Sequence, residues 1–278
     1  MPKRVAVAVI HGMGSQGDKR PAPRNKITFS KDLHKRVKKE IGKSIFESDV
    51  EWREIFWADV LQKREADFLK KIGRRADKRP IQKFVMFNLT DAASYRKVND
   101  PNDQTYERIH SRVEDTINDL AGEVEEGAPL IVLAHSLGGH IMSNYIYDLQ
   151  KPGHAHPPSF QGLRTMAAFV TFGCNIPIFT FAYDEEDISP IQFPGTGLDP
   201  KHRRKTWWHN YFDRDDVLGF PLAPVSPGYK ALKDSGALKD IGINAGGFFD
   251  SWNLFSHNAY WKDDDFYQPV AKLIKSFL

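Results

Sequence analysis

The chain has 278 residues, of which 41% are hydrophobic and 27% charged. This composition is typical of a globular protein, and the chain is long enough to bury a hydrophobic core. A formal net charge of +3 is too small to indicate nucleic-acid binding, and no apolar run approaches the roughly 18 residues of a membrane span. The single cysteine, Cys174, excludes an internal disulfide and suits a reducing compartment. We therefore expect a soluble, cytoplasmic protein without stable membrane insertion.

The first third of the chain begins with the apolar, β-branched run VAVAVI at 5–10, which predicts a strand buried on both faces. Ser30 can cap a following helix, whose apolar positions recur every four residues at Leu33, Val37 and Ile41, with Ile45 as a further candidate. A second strand is predicted over 50–57. It carries more charge than the first, which favours a position near a sheet edge.

The regular alternation resumes at about residue 105, after an irregular stretch at 58–103. A helix follows with an apolar face that continues to Val124, and Gly127 ends it. Strands are then predicted at 129–134, 165–172 and 206–212, and helices at 137–147 and near 265–278. Strands that alternate with helices predict an α/β fold with a mostly parallel sheet, covered by helices on both faces. The stretch at 58–103 is then an inserted helical cap or lid within a single domain that spans 1–278.

The strongest local signal is PLIVLAHSLGGH at 129–140. An apolar strand runs into Ser136 and a helix follows at once, the arrangement in which a strained turn lifts a serine hydroxyl above the sheet. The residues two before and two after must be small, and Ala134 and Gly138 meet that need. Ala134 replaces the commoner first glycine of G-x-S-x-G, which weakens the pattern but not the steric argument. We therefore expect Ser136 to be a nucleophile rather than only a helix cap.

Two backbone amides are candidates for the oxyanion hole that an acyl-transfer serine needs. One is the N–H of Leu137, at the start of the helix after the serine. The other is the N–H of Met13, in the glycine-rich loop HGMG that follows the first strand. Glycines flanking Met13 let the loop turn toward the serine.

The same loop also contains Gly12, Gly14 and Gly17 in the dinucleotide-binding spacing G-x-G-x-x-G. Charged residues and prolines follow where a helix should begin. The next predicted strand also ends much farther along the chain than the position of a ribose-binding acid requires. A nucleotide site is therefore disfavoured, and no metal or organic cofactor is expected.

A nucleophilic serine needs a base, and the base needs an orienting acid. His257 lies in a loop just before the last helix and is the only histidine after His209, so it is the candidate base. The predicted strand at 206–212 runs into three carboxylates, Asp213, Asp215 and Asp216. Clustering alone does not rank them.

The HGMG loop, the AHSLGG elbow and the order serine, aspartate, histidine resemble the α/β-hydrolase superfamily, in particular its small lipases and esterases. The resemblance covers most of the chain except 58–103 and implies a minimal hydrolase fold with about six strands. In such lipases the acid often stands as D-x-V, which Asp215-Asp216-Val217 matches. The resemblance therefore implies Asp215 as the acid, with Asp216 second and Asp213 third.

These residues together predict a carboxylesterase or lipase that forms an acyl-enzyme on Ser136 and acts on a small-molecule or lipid ester. A thioesterase, amidase or lysophospholipase would use the same triad, and a non-catalytic binding protein could retain the same fold. Within the expected cap, Phe84 and Phe87 follow a basic stretch and are candidates to line the substrate pocket. The alternative for that segment is a solvated helix followed by ordinary core.

Overall fold

The architecture is a six-stranded, wholly parallel β-sheet with helices packed on both faces. The computed structural model describes residues 1–12, 19–61, 95, 103–153, 157–245 and 256–278. Within these ranges the strands are β1 Val5–Ile10, β2 Val50–Ile55, β3 Leu130–His135, β4 Met166–Phe172, β5 Trp208–Asp213 and β6 Leu238–Ile243. Neighbouring strands pair in parallel in the order β2-β1-β3-β4-β5-β6. The predicted α/β class and the expected sheet of about six strands are confirmed.

The described helices are α1 Lys31–Ile41, α2 Lys43–Asp49, α3 Thr105–Ala121, α4 Leu137–Leu149, α5 Ile176–Thr180, α6 Pro227–Asp234 and α7 Asp264–Lys275. Side chains of β1 alternate between two cores, as the twofold period of a strand requires. Val5, Val7 and Val9 pack with α1 and α7 on one face, and Ala6 and Ala8 with α3 and α4 on the other. Every residue of β1 and β3 is buried, because helices cover both faces of the sheet.

The strand order places a topological switch point between β1 and β3. The chain builds outward from β1 to β2 in one direction, and from β3 through β6 in the other. In open parallel sheets of this kind, ligands bind beyond the carboxyl ends of the strands that flank such a point. Here those ends carry Gly12, after β1, and Ser136, after β3.

Several predicted boundaries differ from those in the structure. The first helix ends at Ile41 because Gly42 adopts a φ of 103°, and Ile45 belongs to α2, where it is 43% exposed. Ser30 does not cap α1 with its side chain; its hydroxyl donates to Glu54 at 2.6 Å. The helix predicted to end at Gly127 ends at Ala121.

The edges of the sheet account for the remaining differences. β2 is an edge strand, as its charge predicted. The opposite edge is β6, which the sequence did not locate, because its residues Leu238–Ile243 include lysine, aspartate and glycine and most are partly exposed. Neither an unbroken apolar run nor a clean alternation marks such a strand.

Most of the predicted cap, including Phe84 and Phe87, lies outside the described residues. Of 58–103, the structure describes residues 58–61, 95 and 103. Tyr95 is buried and its ring stacks on Tyr106 of α3. In the ranges that the structure does describe, no helix combines the length and the apolar character needed to cross a membrane.

Candidate active site

Ser136 is the single residue between β3 and α4, and its backbone is strained. Its φ of 53° and ψ of −125° are values that a residue with a β-carbon rarely adopts, and such conformations cost about 1–3 kcal/mol. Two backbone hydrogen bonds hold it: its N–H donates to Phe172 O at 3.0 Å, and its carbonyl accepts from Gly139 N at 2.9 Å. The sharp strand-to-helix turn predicted at this serine is confirmed.

The turn is possible because the surrounding residues are small. A β-carbon on Gly138 would lie 2.7 Å from the carbonyl oxygen of His11, and one on Gly12 would lie 2.4 Å from the Ser136 β-carbon. Ala134 is fully buried and pairs with Ile10 of β1. The strand, the helix and the loop after β1 therefore meet at the serine, where a larger side chain would not fit.

His257 lies on a 3-10 turn, Ser256–Trp261, and is paired with Asp216. Its Nδ1 is 2.9 Å from both carboxylate oxygens of Asp216 and must carry the proton, since an ionised carboxylate only accepts. Asp216 also accepts from Leu218 N and from the hydroxyl of Tyr260, each at 2.9 Å. Burial alone would raise the pKa of Asp216, but hydrogen bonds from His257, Leu218 and Tyr260 lower it below its ordinary value. The carboxylate is therefore ionised and fully engaged.

We expected Asp215 to pair with His257, and this prediction is wrong: the structure pairs His257 with Asp216. β5 ends at Asp213, whose carbonyl accepts from the N–H of Asp216 at 3.3 Å and so closes a four-residue turn. Asp215 lies at the exposed tip of that turn, whereas Asp216 lies back against the carboxyl ends of the strands and is 4% exposed. The third candidate, Asp213, braces the turn by accepting from Asp215 N at 2.9 Å and Ala245 N at 2.6 Å.

Two glycines, neither of them predicted from the sequence as part of the site, leave room for this pair. Gly173 follows β4 with a φ of 56°, and a β-carbon there would lie 3.1 Å from Asp216, from His257 and from Tyr260. A β-carbon on Gly219 would lie 2.4 Å from Asp216 Oδ2. A glycine immediately after a predicted strand was the signal that could have pointed to Gly173.

His135, the last residue of β3, holds the backbone of the histidine turn. Its Nε2 donates to the carbonyl oxygen of His257 at 2.7 Å, and the two rings lie 4.7 Å apart. Burial, followed by the nearby His257 ring, lowers the pKa of His135 to about 3. A neutral His135 therefore positions His257, a role that the sequence did not suggest for this elbow residue.

His11 shapes the loop beside the serine. Its Nδ1 donates to the carbonyl of Gly12 at 2.7 Å, its Nε2 accepts from Trp57 N at 3.4 Å, and its ring stacks on the Trp57 indole. Burial lowers the pKa of His11 to about 4.

Met13, one expected oxyanion donor, lies outside the described residues. The other, Leu137, is the first residue of α4, so its N–H has no intrahelical acceptor.

The hydroxyl oxygen of Ser136 and Nε2 of His257 are both buried, and neither has a hydrogen-bond partner in the part of the chain that the structure describes. A buried polar atom without a partner costs about 1–3 kcal/mol and is uncommon. Here two such atoms, a serine oxygen that could act as a nucleophile and a histidine nitrogen that could act as a base, lie at the same carboxyl end of the sheet. Neither is committed to another described protein group.

In comparisons with known proteins, no protein-family model matches the chain and no curated protein matches it significantly. An assignment of function therefore depends on the chemistry of Ser136, His257 and Asp216.

Proposed function

We propose that the protein is a serine hydrolase that cleaves carboxylic esters through an acyl-enzyme on Ser136. His257 is the general base, and Asp216, rather than Asp215, is the acid that orients it. The observation that carries this proposal is the unpartnered Ser136 hydroxyl on a strained turn, together with an imidazole whose Nδ1 is held by a buried carboxylate and whose Nε2 has no described partner.

In the acylation step, Nε2 of His257 accepts the proton of Ser136 while the serine oxygen attacks the ester carbonyl. The carboxylate of Asp216 keeps the proton on Nδ1, so that Nε2 presents its lone pair, and it stabilises the imidazolium that forms. The imidazolium then gives its proton to the leaving alcohol. Water cleaves the acyl-enzyme by the same route, with His257 again acting as base.

The negative charge that develops on the ester oxygen requires preorganised donors. The N–H of Leu137 suits this task because it lies at the positive end of the α4 dipole and next to the nucleophile. The N–H of Met13 remains the proposed second donor, since the loop that contains it starts at Gly12, whose α-carbon packs against the serine.

Ester hydrolysis by this set of groups uses side chains and water alone. A thioesterase, amidase or lysophospholipase would use the same groups with another leaving group. A substrate panel that varies the acyl chain and the leaving group separates these activities.

The test of the proposal is covalent labelling by a fluorophosphonate probe, together with hydrolysis of p-nitrophenyl acetate. We expect the wild-type protein to be labelled and the Ser136→Ala variant to be neither labelled nor active above roughly one part in a thousand of the wild-type rate. Ser143→Ala is the matched control, because Ser143 is another buried serine and lies on α4, the helix that follows Ser136. A wild-type protein that resists the probe and hydrolyses no ester would favour the non-catalytic binding protein.

A further inference from the structure

An apolar groove opens beside the loops that support Asp216 and His257. It encloses about 360 Å³, within the range of roughly 300–1,000 Å³ that small-molecule sites occupy. One wall comes from the segment after β4 and the other from the segment after β5. The described residues that form these walls include Pro177, Phe181 and Tyr183 on the first, and Phe220, Pro221 and Pro224 on the second.

The segments that form the groove also approach the candidate active site. Phe220 directly follows Gly219, whose α-carbon packs against Asp216, and the N–H of Phe220 donates to the carbonyl of Cys174 at 3.1 Å. Cys174 directly follows Gly173, which lies against His257. The described walls therefore begin near the Asp216–His257 pair, at Pro177, four residues after Gly173, and at Phe220, four residues after Asp216.

The chemistry of the groove selects against anions. Its described lining is mainly aromatic residues, prolines and aliphatic residues, with the carboxylate of Glu185 and no lysine or arginine. The adjoining residues 184–187 are four exposed carboxylates, which would repel a fatty-acid anion. Phe181 is 83% exposed and Tyr183 is 67% exposed, so both rings have apolar surface that a neutral hydrocarbon group could cover.

From this lining, its charge and the nearness of its walls to the Asp216–His257 pair, we propose that the groove binds the uncharged hydrocarbon part of the ester substrate, so that the enzyme acts on neutral, apolar esters and disfavours anionic ones. The inference rests on the proposed function for the identity of the ligand as an ester. The groove itself is independent of whether Ser136 reacts.

The experiment measures binding of octyl butyrate, a neutral ester, to the Ser136→Ala variant by calorimetry. Adding Phe181→Ala should weaken binding by roughly tenfold, which corresponds to the loss of part of one aromatic contact. The matched control is Tyr147→Ala, because Tyr147 is an aromatic residue on α4 that is 48% exposed and is not part of the described groove lining. Octanoate should bind at least tenfold more weakly than octyl butyrate, and Glu185→Gln should narrow that difference.

Equal binding by the Phe181→Ala and Tyr147→Ala proteins would overturn the proposal. Self-association of the wild-type protein that Phe181→Ala abolishes, measured by sedimentation, would also overturn it and assign the groove to a second copy of the chain. Phe181-dependent binding to the Ser136→Ala variant, together with a wild-type protein that neither hydrolyses octyl butyrate nor reacts with the fluorophosphonate, would support the groove and refute the proposed hydrolase. Hydrolysis of octyl butyrate at a rate that Phe181→Ala does not change would support the hydrolase and refute the proposal for the groove.

Discussion

Replacement of Asp216 by asparagine tests the pairing that distinguishes the structure from the sequence-based choice of acid. The carboxylate accepts from three donors: Nδ1 of His257, the hydroxyl of Tyr260 and the N–H of Leu218. An asparagine keeps one oxygen and turns the other into a donor. At least one of the three hydrogen bonds is therefore lost, and the amide can donate to the imidazole instead of accepting from it.

The magnitude follows from the tautomer of His257. If the amide donates to Nδ1, the proton moves to Nε2, and the nitrogen that should accept the serine proton is blocked. A wrong tautomer of this kind costs about 10⁴ in turnover, which is roughly 5.5 kcal/mol of barrier. The lost hydrogen bond should also lower the free energy of unfolding by about 1–3 kcal/mol.

The assay is hydrolysis of p-nitrophenyl acetate, measured well below the melting temperature of the variant. Asp215→Asn is the matched control, because the Asp215 side chain is exposed and the hydrogen bond to Asp213 comes from the backbone N–H, which asparagine retains. We expect the control to change turnover less than twofold. Near wild-type turnover by Asp216→Asn, with a large loss in Asp215→Asn, would refute the reasoning and restore the sequence-based choice.

Three further predictions concern groups around this pair. Gly173→Ala should lower both melting temperature and turnover. Gly153 has a φ of 79° and no described atom within 4 Å of an added β-carbon, so Gly153→Ala should cost only the backbone strain; equal losses would contradict the close packing at Gly173. His135→Phe keeps a ring but removes the donor to the His257 carbonyl, so turnover should fall by an order of magnitude with little change in KM; an unchanged turnover would make the contact merely structural. Burial lowers the pKa of His11 to about 4 and of His135 to about 3, both below the ordinary value of 6.5. The free energy of unfolding is therefore highest above pH 6.5 and declines as the pH falls toward 4, because only the unfolded chain takes up these protons. Each histidine should lower the free energy of unfolding by about 1.4 kcal/mol for each pH unit in that window. Equal urea midpoints at pH 7 and pH 5 would show that these histidines are not buried as described.

The elbow could be predicted from the sequence because its determinants are local. An apolar run, a serine, small residues two before and two after and an immediate helix are consecutive along the chain. The structure confirms the strained turn at Ser136 and the close approach of Gly138 to the β1 backbone. His257 could be predicted for a related reason, since it is the only histidine after His209 and lies just before the last predicted helix.

The partner of His257 could not be read in the same way. Asp213, Asp215 and Asp216 are neighbours in sequence, and only the course of the turn after β5 decides which carboxylate faces the imidazole. The resemblance to the D-x-V motif favoured Asp215, whose side chain the turn exposes. Tyr260 was similarly hidden, because its hydroxyl reaches Asp216 across more than forty residues of chain.

The geometry of the parallel sheet explains why these particular positions meet. Ser136 follows β3, Gly173 follows β4 and Asp216 lies just after β5, and these three strands are adjacent in the sheet. Alternate strands are separated by roughly 10 Å, and the imidazole of His257, held at Nδ1 by Asp216, lies in the space between them. The imidazole must then pass over the end of the strand between them. A β-carbon at residue 173 would occupy that space, so the glycine after β4 is as much a requirement of the arrangement as the carboxylate after β5.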